Sequence, residues 1–270
     1  MRQTHDELRE TVRRKYADIA RSSTDSCCST SSSCGEDAEG GLGYSMIGEA
    51  YDGVDGYVED ADLKLGCGVP VEHAAMAPGQ TVLDLGSGAG LDAFVSRKQV
   101  GETGHVIGVD MTAEMIAKSR ENVDKMGYGN VEFRLGEIEH LPVVNDSVDV
   151  VISNCVLNLV PDKQQAFAEI YRVLKPGGHF CISDIVSSRA LPEWASGIAA
   201  AYAGCVTGAI PRSDYLQIIR DAGFSDIEIA SERRVELPEA LMDEWLTPEQ
   251  LSEAAAADIH VMSVTVKAIK

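Results

Sequence analysis

The sequence predicts a doubly wound α/β domain, a parallel sheet with helices on both faces that finishes in an antiparallel strand pair. Three observations predict it. From residue 81 onward, short β-branched runs alternate with helix-length segments, which is the pattern of a covered parallel sheet. A glycine-rich loop follows the first run directly, and an acid closes the second, Asp110, about 20 residues past the loop.

The elements follow in order. Residues 6–21 space Leu8, Val12, Tyr16, Ile19 and Ala20 near helical intervals, predicting a short amphipathic helix. RSSTDSCCSTSSSCGEDAEGGLG, residues 21–43, is rich in Ser, Gly, Asp and Glu with almost no large apolar residue, the composition of a flexible linker. TVLDLGSGAG reads as strand and loop, LDAFVSRKQV as helix, HVIGVD as strand, TAEMIAKSRENVDKMG as helix and VEFRLG as strand. SVDVVISN is then a strand, DKQQAFAEIYRVL a helix and HFCISDIV a strand.

After Val186, LPEWASGIAAAYAGCVTG reads as a helix-and-loop insertion, followed by a helix over 212–222. IEIASERRVEL and HVMSVTVKAIK supply the antiparallel pair, separated by a helix that starts at a Thr247 cap with Pro248 in its first position. The boundaries expected are an N-terminal helix and Ser/Cys-rich segment over 1–43, a nucleotide-binding domain over 44–186, an insertion and sheet end over 187–235, and a C-terminal α+β extension over 236–270.

Composition excludes several classes. Forty-three acidic against 23 basic residues give a formal charge of −20, which opposes phosphate backbones and anionic membranes except through a local patch, so no nucleic-acid or membrane partner is expected. No apolar run approaches the roughly 20 residues of a membrane span, and the N-terminal MRQTHDELRETVRRKYADIA lacks the apolar centre of a signal peptide. The expectation is a cytoplasmic monomer whose seven cysteines are mostly thiols, because they are too sparse for a disulfide scaffold.

Gly86, Gly88 and Gly90 permit backbone conformations and close ligand approach that a β-carbon would hinder. Asp110, at the end of the next strand, is placed to accept both hydroxyls of a ribose. The loop reads G-S-G-A-G after Asp84, whereas a dinucleotide site usually spaces its glycines to seat a pyrophosphate on the helix N-terminus. DLGSGAG resembles motif I of the class I S-adenosylmethionine-dependent methyltransferases, which implies a Rossmann-like fold and a cofactor without phosphate. RLGEIEHLP resembles that superfamily's adenine-contacting segment and implies Ile138 and Glu139 as contacts, and VLKPGGHF resembles its later turn. The cofactor residues implied are Asp84, Gly86, Gly88, Gly90, Asp110, Met111, Ile138 and Glu139, with Asn154 at the methionine end.

The cysteines then divide. An isolated cysteine is more often a small apolar filler than a ligand, and Cys181, inside a strand, is assigned to that role. Cys155 falls at the C-terminal end of a sheet strand, where parallel-sheet enzymes gather their ligands. Cys205 lies in the insertion that covers the cofactor's methyl group in this superfamily, and Cys67 lies between two glycines ahead of the first strand. Three converging thiolates select a soft acceptor. A structural zinc site usually has four ligands and C-x₂₋₄-C pairs, a spacing not seen at these three cysteines, and trivalent arsenic prefers three sulfurs.

GCGVP, VLDLGSGAG, VIGVDMTAEMIAKSRENVDKMGYGNVEFRLGEIEHLP, SVDVVISNCVLNLVPDK, EIYRVLKPGG and YAGCVTGAI together are similar to the arsenite methyltransferase family, over about Tyr44 to Ile229. The resemblance implies that Cys67, Cys155 and Cys205 bind As(III) and that arsenite or its thiol complexes are the substrate. It also implies S-adenosylmethionine as methyl donor and a thiol reductant such as glutathione or thioredoxin. Cys27, Cys28 and Cys34 in the Ser-rich stretch are candidate auxiliary thiols, with an idle tail the alternative. Val69 departs from the family pattern, which favours a polar residue there. Other readings left open are a methyltransferase of a small organic metabolite, a non-catalytic As(III)-binding protein and an NAD-dependent oxidoreductase.

Overall fold

In the computed structural model the described residues are 4–22, 51, 53–197, 208–236, 242 and 246–270. Their strands are β1 (Thr81–Leu85), β2 (His105–Asp110), β3 (Val131–Leu135), β4 (Val148–Asn154), β5 (Leu174–Ser187), β6 (Ser225–Arg234) and β7 (Val261–Ile269). The α-helices among the described residues are α1 (His5–Ser22), α2 (Pro70–His73), α3 (Leu91–Val100), α4 (Ala113–Met126), α5 (Lys163–Val173), α6 (Arg212–Asp221) and α7 (Pro248–Ala256).

The strands form one sheet in the order β3-β2-β1-β4-β5-β7-β6. The first five are mutually parallel, and β7 runs antiparallel to both β5 and β6. Both faces of the parallel part are covered, which is why β1, β2 and β4 carry continuous buried runs, while the edge strand β3 alternates. Val82, Val106, Val150 and Ile152 pack on one face with Phe94 and Val95 of α3. Leu83, Leu85, Ile107 and Val109 pack on the other with Phe167 and Ile170 of α5 and Tyr215 and Ile219 of α6. The chain turns from β1 to β2 on one side and reaches β4 on the other, so a crevice opens beyond the C-terminal ends of β1 and β4, the switch point where such sheets bind ligands.

Two terminal segments pack onto this frame. α1 starts at a reciprocal cap, in which the Thr4 N–H donates to Glu7 Oε2 at 2.8 Å and the Glu7 N–H to Thr4 Oγ1 at 3.3 Å. It buries Val12, Ala17 and Ala20. α7 carries the capping box expected at Thr247, completed by Gln250, with Pro248 in the first turn. Residues 261–269, grouped by sequence with a C-terminal extension, lie inside the sheet between β5 and β6 as β7. An uninterrupted register from His179↔Ile269 to Ser187↔Val261 holds them there.

Candidate functional site

The glycine loop after β1 is built around positive φ angles. Gly86 stands at φ +67°, Gly88 at +51° and Gly90 at +102°. A β-carbon on Gly86 would run into Val156, and one on Gly90 would come within 2.9 Å of the Phe94 ring. The Gly88 N–H donates to Asp110 Oδ2 at 3.0 Å and the Thr112 N–H to Asp110 Oδ1 at 2.8 Å. Asp110 therefore ties the loop to the start of α4, where the Thr112 side chain and the Met111 backbone also hydrogen-bond to it. Burial raises its pKa, and the amides of Thr112 and Gly88 counteract part of that shift.

Asp84 differs from Asp110 in having a vacant oxygen. It is buried, and its Oδ2 has no hydrogen-bond partner. Burial pushes its pKa well up, and the neighbouring charges of Asp92 and Asp110 push it further. A buried carboxylate oxygen of this kind is costly unless a cation or donor arrives.

These groups open onto a cavity of about 280 Å³. Of the sequence-derived cofactor residues, Asp84, Gly86, Gly88, Asp110, Met111, Ile138, Glu139 and Asn154 line it. Gly90 instead caps α3, packed on aromatic rings. Glu139 is almost wholly buried and receives Arg9 Nη2 of α1 at 2.9 Å. Glu137 receives Arg13 at 3.2 Å, so α1 closes this end of the cavity with Arg9, Val12 and Tyr16 in its wall.

The thiol side begins at Cys155, which ends β4 in a left-handed conformation, φ +60°. That turn, uncommon for a residue with a β-carbon, is held by the Cys155 N–H donating to the Ser183 carbonyl at 2.8 Å. Cys155 lines the cavity, whereas Cys67 is buried behind it, with Leu65 and Gly66 reaching the wall. The two cysteines share one buried cluster with Leu159, Ile185, Ala209, Val235 and Val261. The Tyr215 phenol shows the same proximity. Its pKa is pushed well up, first by burial, then by Asp184, and then by the charges of Cys67 and Cys155.

The glycines that flank Cys67 admit close neighbours. A β-carbon on Gly66 would lie 2.6 Å from Asn154 Nδ2, and one on Gly68 would lie 2.7 Å from Ser183 Oγ. Asn154 Oδ1 accepts the N–H of Cys67 at 2.9 Å and of Gly68 at 3.3 Å. Its Nδ2 donates to the Gly68 carbonyl and to Tyr51 Oη, each at 2.8 Å. Tyr51 in turn donates to Asp92 Oδ1 at 2.5 Å. Burial raises Asp92 to about 6, although Tyr51 and Asn154 pull it back.

Behind the Cys155 turn lie two charged groups that sequence reasoning missed, the buried Asp184 and the half-buried Lys163. Asp184 accepts the Ile185 N–H at 2.9 Å and the Tyr215 hydroxyl at 3.2 Å, and burial raises it to about 7. Lys163 donates to the carbonyls of Asn158 and Val160, each at 3.0 Å, and burial lowers it to about 8. The one sequence signal was an acid inside the apolar run CISDIV. Tyr51, Asp92 and Arg9 were also missed; only Asp92, two residues past Gly90, stood close to a recognised motif.

Cys181 lies in the apolar cluster with Val150 and Ile152, and burial pushes its thiol up to about 12, in keeping with a filler. Cys205, Cys27, Cys28 and Cys34 lie outside the described residues. Val69 is buried against the same apolar cluster as Phe94.

A family model described as a methyltransferase domain matches residues 77–223. The chain is 47% identical over 271 residues to an arsenite methyltransferase of Halobacterium salinarum, an alignment covering 98% of this chain and 67% of that protein. It is 38% identical to an arsenite methyltransferase of Aquipseudomonas alcaligenes over 67% of this chain and 54% of that one. Its backbone is similar to the crystal structure of an arsenic(III) S-adenosylmethionine methyltransferase from Chlamydomonas reinhardtii, with TM-score 0.65 and 37% identity over 76% of this chain and 67% of that chain. The chain thus spans about two thirds of the length of two of these relatives and about half of the third.

Proposed function

The chain belongs to the arsenite methyltransferase family of S-adenosylmethionine-dependent enzymes, and from that membership we propose how its residues divide the reaction. It transfers methyl groups to thiolate-bound As(III), with Cys67, Cys155 and Cys205 as the sulfur ligands. The observation that carries this is Cys155: it lines the cavity of the glycine loop and shares a buried cluster with Cys67, 88 residues earlier in the chain.

The cavity's residues fit S-adenosylmethionine. The vacant Asp84 Oδ2 offers a partner to a cationic group, Asp110 stands in the wall at the end of β2 where ribose hydroxyls would meet it, and Met111 and Ile138 offer apolar wall to the adenine. Bound there, the cofactor would supply an electrophilic methyl group to the arsenic lone pair, the S–CH3 bond breaking to leave S-adenosylhomocysteine as a neutral thioether. The protein's own contribution is mainly positioning, because holding two reactants in attack geometry supplies roughly 7–11 kcal/mol. The ligands act as thiolates, which keep the arsenic electron-rich, and the attack needs no general base. Transfer raises the arsenic formally by two electrons. Two thiols, from the protein or from glutathione or thioredoxin, return those electrons and become a disulfide. We assign Cys27, Cys28 and Cys34 as auxiliary thiols in that exchange.

No helix among the described residues is long and apolar enough to cross a membrane. Arsenic speciation after incubation with arsenite, S-adenosylmethionine and glutathione, run beside Cys155→Ser, tests the reading. Methylated arsenic is expected from the parent and not from the variant. Methylation that persists in the variant overturns the thiolate site.

A further inference from the structure

The C-terminal strand reaches the thiol side of the cavity. β7 reads VMSVTVKAI, an apolar strand with hydroxyls at alternating positions, Ser263 and Thr265. Both are buried. Buried hydroxyls in a strand of this kind require partners, and here the partners belong to or flank the GCG loop. Ser263 Oγ donates to the Cys67 carbonyl at 2.6 Å, across 196 residues of sequence. Thr265 Oγ1 shares a hydrogen bond of 2.8 Å with Ser183 Oγ, the group against which Gly68 packs.

Cys67 therefore has both backbone polar groups held by side chains, the N–H by Asn154 and the C=O by Ser263. Asn154 has nothing left to give. Its oxygen accepts two N–H groups, and its two amide hydrogens are shared among the Gly68 carbonyl, the Tyr51 hydroxyl and, at 3.4 Å, Asp92 Oδ2, which exhausts the bonding capacity of a carboxamide. A saturated amide cannot also bind a methionine carboxylate, although Asn154 stands in the cavity wall. Asn154 also precedes Cys155 directly, so the group that fixes the first thiol's backbone is covalently attached to the second.

We propose that Asn154 and Ser263 are positioning residues for arsenic capture, a clamp from β4 and β7 that sets the Cys67 thiol opposite Cys155. The proposal rests on reading Cys67 as an arsenic ligand. It gives the C-terminal strand a part in the reaction and moves Asn154 from cofactor binding to acceptor positioning.

Ser263→Ala is the clean test, because Ser263 does not line the cofactor cavity. Arsenite and S-adenosylmethionine affinities are measured separately by calorimetry on the full chain, with Ser263→Thr as the conservative variant and Cys67→Ser as the control. Loss of one neutral hydrogen bond is expected to weaken arsenite binding by about threefold to tenfold and to raise the arsenite KM with little change in kcat. S-adenosylmethionine affinity stays at the parental value, and Ser263→Thr restores arsenite binding. A general loss of folding would lower both affinities together. Should the alanine variant not fold, Gly66→Ala crowds Asn154 from the loop side and is expected to weaken arsenite binding. Parental arsenite affinity in a folded Ser263→Ala or Gly66→Ala overturns the clamp. Parental arsenite affinity in Cys67→Ser overturns the underlying ligand assignment, and with it the clamp.

Discussion

The two sides of the cavity are finished in opposite ways. On the cofactor side polar capacity is left open, with Asp84 Oδ2 and Ser87 Oγ buried and without hydrogen-bond partners. On the thiol side the capacity is spent: the Cys67 backbone, the Gly68 backbone and the Asn154 amide satisfy one another, with Tyr51 and Ser263. A wall with an open carboxylate oxygen prefers a cation, and a wall whose nitrogens and oxygens are already paired offers an incoming ligand chiefly sulfur. On the proposed division of the site, the chemical difference between a sulfonium donor and a soft acceptor matches which hydrogen bonds the protein makes.

The largest expected break is on the thiol side. Cys155→Ser should lower the rate of arsenic methylation by at least about a hundredfold, the order of loss when a correctly held reactant is released. S-adenosylmethionine affinity should change by less than about threefold. A parallel loss of cofactor binding, read by calorimetry, would show that the two sides are not separable.

On the cofactor side, Asp84→Asn removes the open carboxylate. Cofactor affinity should fall by about tenfold or more, since charge-assisted bonds contribute roughly 1.5–3 kcal/mol. The folded-state pKa of Asp84 lies well above its ordinary value, so the parent loses stability as pH rises toward that value, and the asparagine variant should lose less. Thermal melts of the apoprotein across pH, together with cofactor titrations, check both parts.

Next in size is the helix that closes the cavity. Arg9→Ala leaves Glu139 buried without its ion-pair partner. The arginine remains partly solvated, so the cost is set between that of an exposed and that of a buried pair, roughly 1–3 kcal/mol. Cofactor dissociation, followed by stopped flow, should accelerate, while arsenite affinity should hold. A fall in arsenite affinity alone would place α1 on the wrong side of the comparison.

The smallest effect belongs to Asp184 and Lys163 behind Cys155. Asp184 has a folded pKa of about 7 against an ordinary 3.8, so its contribution to stability is full below about pH 4 and is lost as pH rises to 7. Denaturant titrations of the parent should show that decline, and Asp184→Asn should flatten it. Lys163, lowered to about 8 from 10.5, acts in the opposite sense at higher pH, where the parent regains stability between about pH 8 and 10.

Legibility in the sequence followed the range of the interactions. The β1–β2 unit could be read because each signal is local: apolar runs, three glycines and an acid at the next strand end all lie between residues 81 and 110. Cys155 could be placed because a strand's C-terminal end is visible in SVDVVISN. The clamp could not, since Ser263 meets Cys67 across 196 residues and Asn154 meets it across 87. No periodicity encodes such contacts. Asn154 was assigned to the methionine end from its neighbourhood; only the geometry reveals that its amide is already used. Glu139 is buried because α1 carries Arg9 back over it, an arrangement that helical spacing alone does not specify.

The most direct measurement is arsenic X-ray absorption on the arsenite-loaded protein without cofactor, compared with Cys67→Ser and Cys155→Ser. The expected result is an all-sulfur first shell that loses one sulfur in each variant. An oxygen-containing shell in the parent, or a shell unchanged by both substitutions, would contradict a thiolate site built from the GCG loop and the end of β4.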